Sequence, residues 1–188
     1  MSYSFEQGPI RPPSEAKSLL VRVTRNCPWN KCAFCHTYRG EKFSLRPLSD
    51  IQKDIETVAD IVEKIKTLSR ESGEEGRIND KVISMIYASG NGYDDYFRSV
   101  AAWLYYGGES VFIQDADSLV MKTGDSTKVL SLIREKFPFV TRITTYCRSK
   151  TAARKSVEDF IKLREAGLTR IHIGMESGYD PVLEYIRK

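Results

Sequence analysis

At 188 residues, 41% hydrophobic and 29% charged, the chain is long enough to bury one real core without a disulfide framework, and its composition excludes a low-complexity or disordered polypeptide. It opens without the basic, apolar and small-residue succession of a secretory signal, and its apolar runs fall far short of a membrane span. The expected compartment is therefore the cytoplasm, where clustered thiols stay reduced and bind metal more readily than they pair.

The formal net charge of +4 is modest. Arg142, Arg148, Lys150, Arg154 and Lys155 make one basic segment, which reads as a solvated face with RNA contact as the alternative. A polar leader, residues 1–17, contains Pro9, Pro12 and Pro13, and the core is expected over 18–188. "SLLVRVT" (Ser18 to Thr24) is a short β-branched run that reads as a buried strand, and a cysteine-bearing loop follows it directly. "SDIQKDIETVADIVEKIKTL" sets Ile51, Ile55, Val58, Val62 and Ile65 on one helical face, with Ser49 and Gln52 in capping-box spacing at its start. A charged, Gly-containing linker runs from Ser69 to Asp80, and helical patterns follow near 81–88 and 94–105. A helical insertion of about 69–106 is thus expected after the first βα unit, with Trp103 to Tyr106 packing its core.

From there a unit repeats: "SVFIQD" (Ser110 to Asp115), helix, "RITTYC" (Arg142 to Cys147), helix, "RIHIGM" (Arg170 to Met175) and the start of another helix. The strand starts lie 32 and 28 residues apart, which suits successive βα units and an α/β fold with a parallel sheet. Ser156 is the expected N-cap of the helix before Arg170, and Gly167 its stop.

The stretch "NCPWNKCAFCHTYRG" (Asn26 to Gly40) holds Cys27, Cys32 and Cys35 as C-x4-C-x2-C. In parallel α/β folds the carboxyl ends of the strands are where active sites assemble. A closed zinc site would need a fourth ligand. His36 adjoins Cys35 too closely to chelate easily beside it, and Cys147, ending another strand in apolar surroundings, reads as a buried structural thiol. A cubane 4Fe-4S cluster offers four irons, each wanting a terminal ligand. Three thiolates leave one iron open to a small molecule, much as an open position marks catalytic zinc.

The strand, the three-cysteine loop with an aromatic residue before its last cysteine ("AFC", Phe34) and the repeated βα units resemble the radical S-adenosylmethionine (radical SAM) superfamily. "CHTYRGEKFSLRPLSDIQKDIE" and "LREAGLTRIHIGMESGYDPVL" resemble its elongator-type and methylthiotransferase-type branches, so the likeness spans about Ser18 to Leu183. It implies a partial parallel (β/α) barrel of about four βα units, a 4Fe-4S cluster on Cys27, Cys32 and Cys35, and S-adenosylmethionine chelated at the open iron. Reductive cleavage would then release a 5′-deoxyadenosyl radical that modifies an unidentified substrate, a small molecule or RNA. A flavodoxin or ferredoxin would supply the electron.

The resemblance also implies cofactor contacts. Phe34 would lie near the adenine, and Glu176 near the ribose hydroxyls or the methionine amino group. Asp115, Asp117 and Ser118, at the carboxyl end of "SVFIQD", the second strand of the chain, would face the amino group or serve as active-site polar residues, with a solvated turn as the alternative. Arg148, Ser149 and Lys150 would face the cofactor carboxylate or the substrate, with a surface loop as the alternative, and Arg39 with Gly40 would shape the cluster loop. Gly107, Gly108 and Glu109 mimic a family motif but precede their strand, so they are expected at the opposite edge. Two departures stand out: the first cysteine gap has four residues in place of the usual three, and four strands are countable where the family has six. A partner or further carboxyl-terminal segment would complete the barrel. A non-catalytic zinc or redox module, and an inactive cluster-binding remnant, are the competing functions.

Overall fold

The computed structural model describes residues 2–88 and 90–188, so Met1 of the leader and Ser89 of the insertion lie outside it. Its frame is a parallel sheet of four strands in the order β1 (Leu19–Arg22), β4 (Ser110–Gln114), β5 (Arg142–Cys147), β6 (Leu168–Ile173). A separate antiparallel ribbon pairs β2 (Thr24–Arg25) with β3 (Ser44–Leu45). Seven α-helices are present among the described residues, and the chain is α/β.

The strands are laid down in chain order, each beside its predecessor. Such a sheet has no point at which the winding reverses, and same-handed crossovers put successive helices on one face. α1 (Leu48–Glu71), α4 (Thr123–Lys136) and α6 (Val157–Ala166) do lie side by side in that order, α1 beside β1 and α6 beside β6. The helix-facing side chains Val21, Ile113 and Ile143 meet Ile51, Ile55, Val58, Ile133 and Leu163 in one apolar core. Every residue read as the apolar stripe of α1 is buried there.

The start of α1 differs from the expected capping box. The helix begins at Leu48 behind Pro47, which makes no side-chain cap, so Ser49 sits inside the first turn and reaches only Asp50 at 3.5 Å. Proline fixes its own φ just before the helix, and the N-cap falls at Pro47, two residues before Ser49. α6 is capped by Ser156 and ended by Gly167, at φ +122°, as read, and the structure adds Asp159, which completes a capping box with Ser156. The chain enters β6 at once, two residues before the expected start. α2 (Asp80–Ala88) and α3 (Asp95–Tyr105) form the insertion, with Asp94 capping α3 through the N–H of Phe97 at 2.8 Å. Trp103 is buried against Phe137 and Phe139, but Tyr105 and Tyr106 are exposed at the helix end, so the expected core packing holds for the tryptophan and fails for the two tyrosines. Gly107 and Gly108 take positive φ in the turn at the amino end of β4, the edge expected for them.

The leader is part of this core. Phe5 is 3% exposed and packs on Tyr96 of α3, ring centroids 5.0 Å apart. Farther on, the leader crosses the helix-free inner face, where Phe112, Tyr146 and His172 stack edge to face. Gln114 accepts from the Gly8 N–H at 2.8 Å and donates to the Ile10 carbonyl at 2.7 Å. Glu15, fully buried, is gripped by both terminal nitrogens of Arg142 at 3.1 Å and by the Ser18 hydroxyl at 2.6 Å, with His172 at 3.3 Å. Burying that carboxylate is tolerable because its lone pairs are met by charge and hydrogen bonds.

Removing the Phe5 ring leaves a cavity between leader and insertion. Phe5→Ala is expected to lower unfolding stability by about 3 kcal/mol in urea titration, and a loss under about 1 kcal/mol would show that the leader is not integral to the core.

Candidate functional site

The cysteine loop grows out of the carboxyl end of β1. Val23 leaves the β1 pairing but still donates to the Gln114 carbonyl at 2.6 Å and accepts from the Arg46 N–H at 3.2 Å. The chain then enters β2 and returns through β3, so residues 26–43 form a loop closed at its base by a short ribbon. Asn26 and Asn30 take left-handed backbone conformations, φ +66° and +48°, which asparagine tolerates better than most residues. Their side-chain amides hold the returning strand of the loop: Asn26 donates to the Lys42 carbonyl and Asn30 to the Glu41 carbonyl, each at 2.8 Å. Asn30 lies within the four-residue gap between Cys27 and Cys32, and its left-handed turn takes up chain in that long spacing. Gly40, at φ +82°, turns the chain back, and Arg39 donates to the Ala33 carbonyl at 2.7 Å.

Cys27, Cys32 and Cys35 are all free and partly buried on this loop. Burial pushes the Cys32 thiol above its ordinary value, Lys188 and Arg148 oppose that rise, and Cys27 and Cys35 add to it. The three sulfurs therefore share one electrostatic neighbourhood. Among the described residues no three His, Cys, Asp or Glu side chains converge tightly enough to hold a single ion. His36, next to Cys35, is exposed. Cys147 is 3% exposed, donates to the Arg148 carbonyl at 3.2 Å, and is pushed up to about 12 by burial and then by the charge of Asp117.

The other sequence-selected residues divide into two groups. Asp115, Asp117 and Ser118 stand at the carboxyl end of β4, as the strand reading places them, but they are buried and engaged within the chain. Asp115 receives two bonds from the Arg22 guanidinium, at 2.7 and 3.2 Å, the Asn26 N–H at 3.1 Å and the Tyr38 hydroxyl. Asp117 accepts from the Arg148 N–H at 3.2 Å and the Thr151 hydroxyl at 2.6 Å, and Ser118 donates to the Ile113 and Asp115 carbonyls. Burial, followed by the bond to Asp115, holds the Tyr38 phenol protonated.

The second group faces outward. Phe34 is 47% exposed on the loop, and Ser149 is exposed at the start of the short helix α5 (Ser149–Ala152). Arg148 lies over the Trp29 indole, 4.7 Å from its ring centroid, with Lys31 at 5.2 Å. Glu176, left-handed at φ +62°, pairs with Lys188 at 2.9 Å. The tail after α7 (Asp180–Tyr185) reaches the same loop, where the Ile186 carbonyl accepts from the Ala33 N–H and the Arg187 carbonyl from the Trp29 indole. Thus Phe34, Arg148, Glu176 and the cysteines gather on the carboxyl side of the sheet, while Lys150 is exposed beyond them.

Sequence reasoning missed Arg22, Asn26, Asn30, Tyr38 and Glu6. Glu6 joins Arg25 at 2.7 Å, Arg22 at 3.1 Å and Arg46 at 3.1 Å, and its carboxyl is held below its usual range first by the Arg25 bond. Only the two asparagines carried a local signal, as left-handed formers beside a cysteine motif. Neither a scan against protein-family models nor a search of curated proteins finds a match to this chain. Among the described residues no helix is long and apolar enough to cross a membrane.

Asp115→Asn breaks a buried pair and leaves Arg22 with one carboxylate, so unfolding stability is expected to fall by about 3 kcal/mol; an unchanged urea midpoint would refute the hub. For Cys147 the folded value lies above the unfolded one of 9.0. Below pH 9 the thiol is protonated in both states, whereas from pH 9 towards 12 the unfolded chain ionises first, so the stability due to this group falls across that window. Cys147→Ala should flatten that alkaline decline in denaturation series at successive pH values.

Proposed function

We propose that this chain is a radical SAM-type enzyme core, binding a 4Fe-4S cluster through Cys27, Cys32 and Cys35 and S-adenosylmethionine at the remaining iron. One observation carries the reading: three free thiols share a braced loop at the carboxyl edge of a sequentially wound parallel sheet, while the fourth thiol is buried in the strand layer and bonded there.

The chemistry of the donor set fits this group. A closed zinc site asks for four protein ligands, and the loop carries three thiols. In a cubane each thiolate takes a separate iron, so three thiols would leave the fourth iron open. When bound, such a cluster supplies an electron to the sulfonium of S-adenosylmethionine, releasing a 5′-deoxyadenosyl radical.

The chain's own residues have separable tasks in this reading. Asn26 and Asn30 fix the loop backbone so that the thiols are presented together. Arg148 and Lys188 lower the cost of thiolate charge at Cys32, opposing its burial. Phe34 offers an exposed ring to the adenine, and Glu176, held by Lys188, offers a carboxylate to the ribose or amino group. Asp115, Asp117 and Ser118 support the floor of the site from beneath. An electron-transfer protein would deliver the electron, and the substrate is a small molecule or RNA.

Anaerobic reconstitution with iron and sulfide tests this. The wild-type chain and Cys147→Ala should both gain broad absorbance near about 400 nm with roughly four irons and four sulfides per chain, and Cys→Ala at 27, 32 or 35 should abolish it. Binding of one zinc with no sulfide would instead establish the metal-module reading.

A further inference from the structure

The ribbon that closes the cysteine loop is too short to hold itself. β2 and β3 share two residue pairs, Thr24 with Leu45 and Arg25 with Ser44, and even a longer isolated two-stranded ribbon is only marginally stable in water. Cys27, Cys32 and Cys35 lie between its two legs, so their placement depends on whatever fixes those legs. The bonds to Asp115 hold Asn26 and Tyr38 within the loop, and among the described residues none of them reaches Arg25 or Arg46.

The leader reaches both legs through one side chain. Oε1 of Glu6 accepts from Arg22 Nη1 at 3.1 Å and from Arg25 Nε at 2.8 Å. Oε2 accepts from Arg25 Nη2 at 2.7 Å and lies 3.1 Å from Arg46 Nε. Arg22 and Arg25 stand on the chain that enters the loop, and Arg46 on the chain that leaves it. The three arginines do not depend on Glu6 equally. Arg22 also bonds Asp115, and Arg46 also pairs with Asp54 at 2.7 Å. The guanidinium of Arg25, two residues before Cys27, bonds Glu6 alone among the described residues. Glu6 is itself fixed on its segment: its N–H donates to Asp54 of α1 at 3.0 Å, the preceding Phe5 ring is buried, and the Gly8 N–H donates to Gln114.

Charge burial does not explain this arrangement. The Glu6 side chain is 27% exposed, so water already solvates it and a single cation would suffice to tether the leader. What three guanidiniums add is a fork on β2 and a bridge from the entering chain to the leaving chain, and forked arginine–carboxylate contacts fix direction as well as adding energy. We propose that Glu6 is a positioning residue for the three thiols: through Arg25 and Arg46 it ties both legs of the loop to the leader, and so sets the spacing at which Cys27, Cys32 and Cys35 are offered to an occupant. The inference concerns the thiols before any group is loaded, so it does not rest on the identity of that group.

The test uses the full, reduced, metal-free chain and N-ethylmaleimide, with the alkylation rate of each cysteine read by mass spectrometry. Glu6→Gln should alkylate at least about threefold faster than wild type at Cys27, Cys32 and Cys35, because a loosened loop opens its partly buried thiols, while buried Cys147 stays unlabelled. Arg25→Gln should accelerate the same three thiols. That variant removes a positive charge, which by itself would lower the thiolate fraction and slow alkylation, so a slower rate there would show that Glu6 acts through charge alone and overturn the proposal. Unchanged rates in folded Glu6→Gln would overturn it as well. So would labelling of Cys147 in step with the other three, since that pattern marks general loosening and a merely structural role. As a second readout, the visible circular dichroism of the iron- and sulfide-loaded chain should change in Glu6→Gln, and an identical spectrum would count against positioning. If the wild-type chain takes up no cluster, the cluster reading fails and the alkylation rates still decide this one. Should Glu6→Gln fail to fold, Arg25→Gln decides alone.

Discussion

The buried carboxylate of Asp115 holds together parts of the chain that are far apart in sequence. A fully buried charge is tolerable only when its oxygens are met by donors, and here the donors come from β1 (Arg22), the entry of the cysteine loop (Asn26) and the exit of the same loop (Tyr38). The leader joins through Glu6, which shares Arg22, and through Gly8, where an added Cβ would sit 3.2 Å from the Asp115 carboxylate. Both ends of the loop are therefore fixed to the end of β4. The cysteines between them can be precisely presented only because this anchor is satisfied on every side.

That anchor explains which parts of the structure could be read in advance. Local pattern revealed the apolar stripe of α1, the four strands of the sheet and the Ser156 cap and Gly167 stop of α6, because each is encoded within a few neighbouring residues. The tyrosine on Asp115 is 77 residues from it, and Gly8 is 106 residues from Gln114. No local pattern marks such pairings, so the leader read as a polar prelude, and Asp115 and Asp117 read as cofactor contacts or a solvated turn. Position along the strand was legible for both aspartates; the partners that bury them were not. The same limit applies to Tyr105 and Tyr106, whose exposure follows from where α3 ends and not from their hydrophobicity.

Sequential strand order also divides the sheet by face. With α1, α4 and α6 on one side, the other face would lie bare, and a parallel sheet is seldom left so. The leader supplies the missing cover with polar instruments: Gln114 holds its backbone, and Glu15 holds Arg142 and Ser18 beside an aromatic trio. The inner face thus combines an ion pair with edge-to-face rings, where the helical face is packed mainly with aliphatic side chains. Polar cover of this kind fixes direction and register, since a slip of the leader by one residue would misplace every one of those bonds.

The chain has two tryptophans, and they occupy opposite environments. Trp103 is sealed against Phe137, with its indole N–H on the Ser110 carbonyl, whereas Trp29 sits on the cysteine loop beneath Arg148 and Lys31, tied to the Arg187 carbonyl. The molecule consequently carries two built-in fluorophores, one reporting the interior and the other the loop. A quencher dissolved in the buffer reaches the second before the first, and any occupant drawn to the three thiols would dim Trp29 emission while Trp103 serves as the internal standard.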